Sequence, residues 1–241
     1  MNIAFSPCPN DTFVFHAWVH GLVPGAPKLN VTYADIDITN KLATTASGGD
    51  ILKISYAALP WVLSEYALLP CGGALGRGCG PLVLTAGNTG NAQDPAVLTG
   101  KRVAVPSERS TAYLLFRLWA AQQVPGGVGE IVVMPFHEIM PAVRDGSIDA
   151  GLVIHEARFT YPSYGLSMLT DLGSWWESDT GLPIPLGAII ARRSLDLDAI
   201  SRWARASVEY AWLIRTCPAS MSCSTRRKCH RKWRKRISRY M

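Results

Sequence analysis

Arg102-Val103-Ala104-Val105-Pro106-Ser107-Glu108-Arg109-Ser110-Thr111-Ala112-Tyr113-Leu114-Leu115-Phe116-Arg117-Leu118-Trp119 carries the pattern on which the fold turns. The apolar run 102–105 reads as a short strand. A polar turn follows, and helical periodicity sets in at Thr111 and runs to Gln122, with Leu114, Leu115, Leu118 and Trp119 assigned to one apolar face. Ser110 or Thr111 is placed to cap this helix, and first-turn amides without intrahelical partners favour an anion such as a carboxylate. The bland alternative is capping alone. A strand, a polar turn and a capped helix, in that order, form the repeating unit of an α/β fold.

The same alternation extends both ways. Downstream it predicts strands at 131–134, 150–154 and 186–191 and helices at 137–144 and 195–212. Upstream it predicts strands at 2–5, 30–37, 51–55 and 82–86 and helices at 12–20, 41–46 and 56–64, the last confined or kinked by Pro60. The expectation is an α/β protein with mostly parallel sheets. The Gly/Asn/Pro-rich stretch 87–100 and the segment Gly181-Leu182-Pro183-Ile184-Pro185-Leu186-Gly187 read as two crossovers between lobes. Lobe 1 would then be 1–86 with 187–212, and lobe 2 would be 87–186.

Composition excludes several classes. The chain has 241 residues, 48% hydrophobic and 17% charged, enough to bury a core. No uncharged apolar run approaches the roughly 20 residues of a membrane span. The opening Met1-Asn2-Ile3-Ala4-Phe5-Ser6-Pro7 lacks a basic region followed by an apolar stretch, so a cytoplasmic address is expected. The net charge of +6 is misleading, because residues 213–241 hold ten Lys/Arg and no acid, leaving 14 basic against 18 acidic residues in 1–212. The body therefore offers no footprint for nucleic acid. Cys8, Cys71 and Cys79 in the body read as reduced thiols. Cys217, Cys223, Cys229 and His230 in the tail fit no common zinc spacing, and no metal site is expected.

Four further segments could carry chemistry. Ser6-Pro7-Cys8-Pro9-Asn10-Asp11-Thr12-Phe13 joins a strand to a helix; Asn10, Asp11 or Thr12 is placed to cap it, and the turn is either anion-binding or merely rigid. Lys53-Ile54-Ser55-Tyr56 ends a strand, where ligands of open α/β sheets sit; Lys53 could pair with a carboxylate and Ser55 could add a hydrogen bond, against the alternative of a surface lysine and a capping serine. Gly72-Gly73-Ala74-Leu75-Gly76-Arg77-Gly78-Cys79-Gly80-Pro81 matches neither a P-loop nor a dinucleotide fingerprint, and a loop between lobes is the preferred reading. His155 closes the apolar strand Gly151-Leu152-Val153-Ile154, and histidine is the side chain that supplies a neutral base near physiological pH. A structural histidine is the alternative. His16, His20 and His137 lie on helices with no comparable setting. No nucleophile elbow or zinc-protease helix is present, and nothing demands a metal, flavin or nicotinamide.

Ser6–Phe13, Gly72–Gly78 and Gly151-Leu152-Val153-Ile154-His155-Glu156-Ala157-Arg158-Phe159-Thr160-Tyr161 together resemble the hallmark segments of the 1,4-dihydroxy-6-naphthoate synthase (MqnD) family of the futalosine route to menaquinone. The resemblance runs from residue 1 to about 212. It implies a two-lobed fold of the type II periplasmic-binding-protein kind with a ligand cleft between lobes. It also implies a lyase without a cofactor, acting on cyclic dehypoxanthinyl futalosine to give 1,4-dihydroxy-6-naphthoate and a small sugar-derived fragment. Carried over by position, the catalytic base falls on His155 and substrate binding on Lys53, Ile54, Ser55, Thr111 and Ala112, with Asn10, Asp11, Thr12 and Ser110 as further cleft candidates. The sister enzyme chorismate dehydratase should lack the Ser-Pro-Cys-Pro-Asn-Asp-Thr-Phe opening. A non-catalytic carboxylate-binding protein of the same fold is the other competing reading. Where the family continues with amphipathic helices, residues 213–241 turn basic and aperiodic. They are expected to be a poorly structured tail foreign to the fold, from an altered reading frame near residue 213.

Overall fold

A computed structural model describes residues 1–45, 48–87 and 94–215 of the chain. The tail cysteines, His230 and residues 88–93 of the first crossover lie outside the described residues. The elements in chain order are β1 (Asn2–Phe5), α1 (Pro9–Val19), β2 (Asn30–Tyr33), α2 (Ile36–Ala43), β3 (Ile51–Ser55), β4 (Tyr66–Leu68), β5 (Ala74–Gly76), β6 (Leu82–Ala86), β7 (Val103–Val105), α3 (Thr111–Gln123), β8 (Ile131–Val133), α4 (Phe136–Arg144), β9 (Ala150–Val153), α5 (Ala157–Thr160), β10 (Leu166–Asp171), α6 (Leu172–Thr180), β11 (Ile184–Arg192) and α7 (Leu197–Arg215). Among the described residues they divide into two compact units, the first within 1–54, 59–74 and 187–215, the second within 55–58 and 75–186.

In the first unit the strand order is β2-β1-β3-β11-β4. Strand β1 pairs parallel with β2 and β3, and β4 pairs antiparallel with β11. Strand β3 is buried along its whole length, as a central strand of this kind must be, which is why it reads as a nearly unbroken apolar run. The core joins Ile3, Phe5 and Ile51 of the sheet to Phe15 and Trp18 of α1 and to Ile200, Ala204 and Tyr210 of α7. The two helices are also tied through polar groups. The Ser207 hydroxyl donates to the Val14 carbonyl at 2.7 Å and accepts from the Trp18 amide at 3.3 Å.

In the second unit the order is β10-β6-β9-β7-β8. Strand β7 pairs parallel with β8 and β9, whereas β6 pairs antiparallel with β9 and β10. The sheets are therefore mixed, where mostly parallel ones were expected. Ala112, Leu115, Phe116 and Trp119 of α3 enter the core, while Leu114 and Leu118, assigned to the same face from sequence, stand 45% and 42% exposed. Their phase, about 100° round the helix from Leu115 and Trp119, decides this.

Other differences have equally local causes. The strand expected over 30–37 stops at Tyr33 because α2 begins at Ile36. The helix expected over 56–64 is a 3₁₀ turn at Tyr56–Trp61 with Pro60 inside it. Strands β4, β5 and β10 and helix α6 were not foreseen. Strand β6, placed in lobe 1 from sequence, belongs to the second unit, where its run Leu82–Thr85 is buried between β9 and β10. Helix α7 continues to Arg215, past the boundary at 212 set from composition.

Candidate active site

The first unit gathers its candidate residues around β3. Lys53 points inward, and its Nζ lies 3.5 Å from Asp11 Oδ1, with the two side chains only 4% and 7% exposed. The same ammonium donates to the Gly72 carbonyl at 2.6 Å. Burial pushes the Lys53 pKa below its ordinary value, while the Asp11 carboxylate, and more weakly the Cys8 and Cys71 thiols, pull it back up. Burial likewise raises the Cys71 thiol against the opposing charges of Arg205 and Lys53. Gly187 closes over the lysine; a Cβ there would come within 3.1 Å of Lys53 Cε. Lys53 is thus no surface lysine, and its nearest counter-ion is supplied by α1.

The turn before α1 works differently from the expectation. Cys8 occupies the N-cap position and makes no side-chain cap, and Pro9 begins the helix, where its missing N–H is no loss. Asn10 is exposed, Asp11 turns inward to Lys53, and the Thr12 hydroxyl donates back to the Cys8 carbonyl at 3.0 Å. None of the three caps the helix. Ile54 is fully buried, so its side chain serves the core.

The second unit holds the remaining candidates. Ser110 caps α3, its Oγ accepting from the Tyr113 amide at 3.1 Å and donating to the Ser107 carbonyl at 2.9 Å. Ser107 Oγ accepts from the Arg109 amide at 3.2 Å, so the turn 107–110 is held from within. The Thr111 hydroxyl donates to the Leu186 carbonyl at 3.0 Å and accepts from the Ala57 amide at 3.3 Å. That bridge ties the Ser55–Ala58 segment and the end of the unit to the start of α3. Helix geometry leaves the Thr111 and Ala112 amides without intrahelical acceptors. Ser55 is buried just upstream of this bridge.

His155 is exposed at the end of β9 and has φ 53°, the one non-glycine residue with positive φ among those described. The left-handed region is costly for a side chain and is tolerated where the surroundings impose it, which is common at functional sites. The surroundings here include Arg158, which the sequence reading quoted but gave no role. Its amide donates to the His155 carbonyl at 3.2 Å. Its guanidinium donates to the Gly80 carbonyl at 3.0 Å and to Asp171 at 2.6 Å. Asp171 in turn caps α6 through the Gly173 and Ser174 amides. The glycines of 72–81 serve packing at this point, because a Cβ on Gly80 would fall 2.5 Å from the Gly173 nitrogen. Among the described residues no group of three or more His, Cys, Asp or Glu could hold a metal ion, and no helix is long and apolar enough to cross a membrane.

Comparison with known proteins decides which family owns this arrangement. The family model described as menaquinone biosynthesis matches residues 1–241. The chain belongs to the menaquinone biosynthesis family. A 1,4-dihydroxy-6-naphthoate synthase of Streptomyces coelicolor is 70% identical over 215 residues, covering 88% of this chain and 74% of that protein. One of Thermus thermophilus is 46% identical over 214 residues, with the same coverage. The family model extends through the basic tail, whereas these pairwise alignments leave about an eighth of the chain unmatched. A crystallised protein of Archaeoglobus fulgidus is 32% identical, with TM-score 0.74, covering all of this chain and 82% of its own. The periplasmic aliphatic sulphonate binding protein of Escherichia coli, 14% identical with TM-score 0.63 over all of this chain and 74% of that one, shares the fold. The expected periplasmic-binding-protein-like class is therefore the one found. Membership of the menaquinone biosynthesis family makes the chain an enzyme of that pathway working on a small molecule, and favours neither a non-catalytic binding protein nor chorismate dehydratase.

Proposed function

We propose that the chain is a lyase that converts cyclic dehypoxanthinyl futalosine to 1,4-dihydroxy-6-naphthoate, with His155 as general base. The observation that carries the reading is the backbone of His155: an exposed imidazole at φ 53°, its carbonyl accepting from the amide of Arg158. The 70% identity to a protein bearing the synthase name supports the choice of substrate. His155 removes the proton beside the substrate ketone. The electron pair left on carbon forms the enolate, and its collapse expels the ring oxygen with breakage of the C–O bond. Loss of the sugar-derived fragment and tautomerisation then give the aromatic ring. Every electron pair stays within the substrate, so the sequence needs no redox partner. The free amides of Thr111 and Ala112, with Ser55, hold the polar groups of the substrate, its carboxylate at the positive end of α3. Incubation with cyclic dehypoxanthinyl futalosine tests the assignment. The naphthoate should appear by absorbance and mass with the sugar-derived fragment in equal amount. Substrate recovered unchanged, although bound, would return the chain to the class of binding proteins.

A further inference from the structure

His16 and His20, which the proposed chemistry leaves unused, lie one helical turn apart at the end of α1, with ring centres 4.6 Å apart and planes tilted by 52°. Both residues are exposed. The Tyr210 ring of α7 lies nearly parallel to that of His16, with centres 6.2 Å apart and planes at 18°. With metal–nitrogen bonds of about 2.0 Å, an imidazole centre sits about 3.1 Å from its metal, so two imidazoles bound cis at about 90–110° have centres about 4.4–5.1 Å apart. The observed spacing falls in that interval, toward its right-angled end. We propose that His16 and His20 form a two-histidine site for a divalent ion of tetragonal preference, Cu²⁺ first and Ni²⁺ next.

The chemistry follows from the donor set. Two neutral imidazoles and no carboxylate suit borderline ions and offer nothing to Mg²⁺ or Ca²⁺, which seek oxygen. No third His, Cys, Asp or Glu joins them among the described residues, so water completes the coordination shell. Bridging residues 16 and 20 pins the last turn of α1, the helix that packs on α7.

The test titrates Cu²⁺ into the full chain after its thiols have been alkylated, with electron paramagnetic resonance and thermal unfolding as readouts. One equivalent should give a signal with two nitrogen ligands and raise Tm. In His20→Asn, whose side chain is exposed, the two-nitrogen signal should vanish. Its affinity should fall by more than the roughly 10-fold that even an outer-shell change costs. His16→Asn should behave alike, and His137→Asn should bind as the parent does. Binding unchanged in both His16→Asn and His20→Asn overturns the proposal, as does an equal loss in His137→Asn.

Discussion

Lys53, in the middle of β3, and His155, just past the end of β9, are both singled out by the sequence, yet their surroundings are opposite. Lys53 is buried and answered by the Asp11 carboxylate and the Gly72 carbonyl. His155 is exposed on a left-handed backbone, and its ring has no hydrogen bond or ion pair among the described residues. A buried, paired charge is an organiser: its desolvation cost is met only by keeping every partner, so it resists change of state. An exposed imidazole carries no such constraint from buried partners. The contrast sets a charge fixed by its partners in the first unit against a side chain open to solvent in the second.

The sharpest way to break this contrast is to exchange His155. His155→Asn should lower kcat by about 10²–10⁴ while KM moves little, because a general base acts in the transition state. Turnover near the parent's would remove His155 from the mechanism. The Lys53 side is probed by stability. Asp11→Asn or Lys53→Met alone should cost about 3–5 kcal/mol in urea unfolding, since each leaves a buried charge without its counter-ion, whereas the double variant Asp11→Leu/Lys53→Met should recover most of it. If the double variant is as unstable as the sum of the singles, the two groups are not coupled. In the same Lys53→Met protein, a substrate dissociation constant raised about 10- to 100-fold would mean that the ammonium also meets the substrate; an unchanged one would leave it with the organising role alone. A smaller effect is expected at the α3 cap. Ser110→Ala should cost about 1 kcal/mol and Ser110→Asp less, measured by thermal unfolding.

The smallest effect concerns pH. Burial, then the His20 charge, lowers the His16 pKa in the folded protein, so the unfolded chain binds more protons in the window below the ordinary histidine value. The stability His16 contributes is therefore complete above that value and lost as pH falls through the lowered folded one. His20 and Tyr210 are the titratable groups that face it. His20→Asn should narrow the window, moving the onset of acid destabilisation slightly; an identical acid limb in both proteins would contradict this origin.

Much of the framework was legible because central strands are short apolar runs and α3 has a cap and a clear period. Strands β1, β3 and β6 and the start of α3 were read within a residue or so. Helix α6, with its sequence LGSWWESDT, was not, because Gly, Ser and Asp dilute its period and its start depends on Asp171, a cap whose partners are two backbone amides. The antiparallel pairing of β6 escaped because direction is set by which distant strand lies alongside, and a run such as Leu82–Thr85 carries no mark of it. At the site, His155 could be found from its place after an apolar strand, but its backbone conformation could not. The inward turn of Asp11 was hidden for a similar reason: the sequence offered three polar residues in a row and a helix to cap, while the partner that claims Asp11 lies 42 residues away.

Gly80 and Gly173 meet backbone to backbone, each standing where the other's Cβ would go. Ordinary contacts in a protein can drift, because a larger side chain on one partner is offset by a smaller one on the other. Here neither partner has anything left to give up. No second change can rescue an alanine at either position, so the two sites should show no correlated substitution among relatives even though they touch. In a saturation library they should instead emerge as two independently intolerant columns.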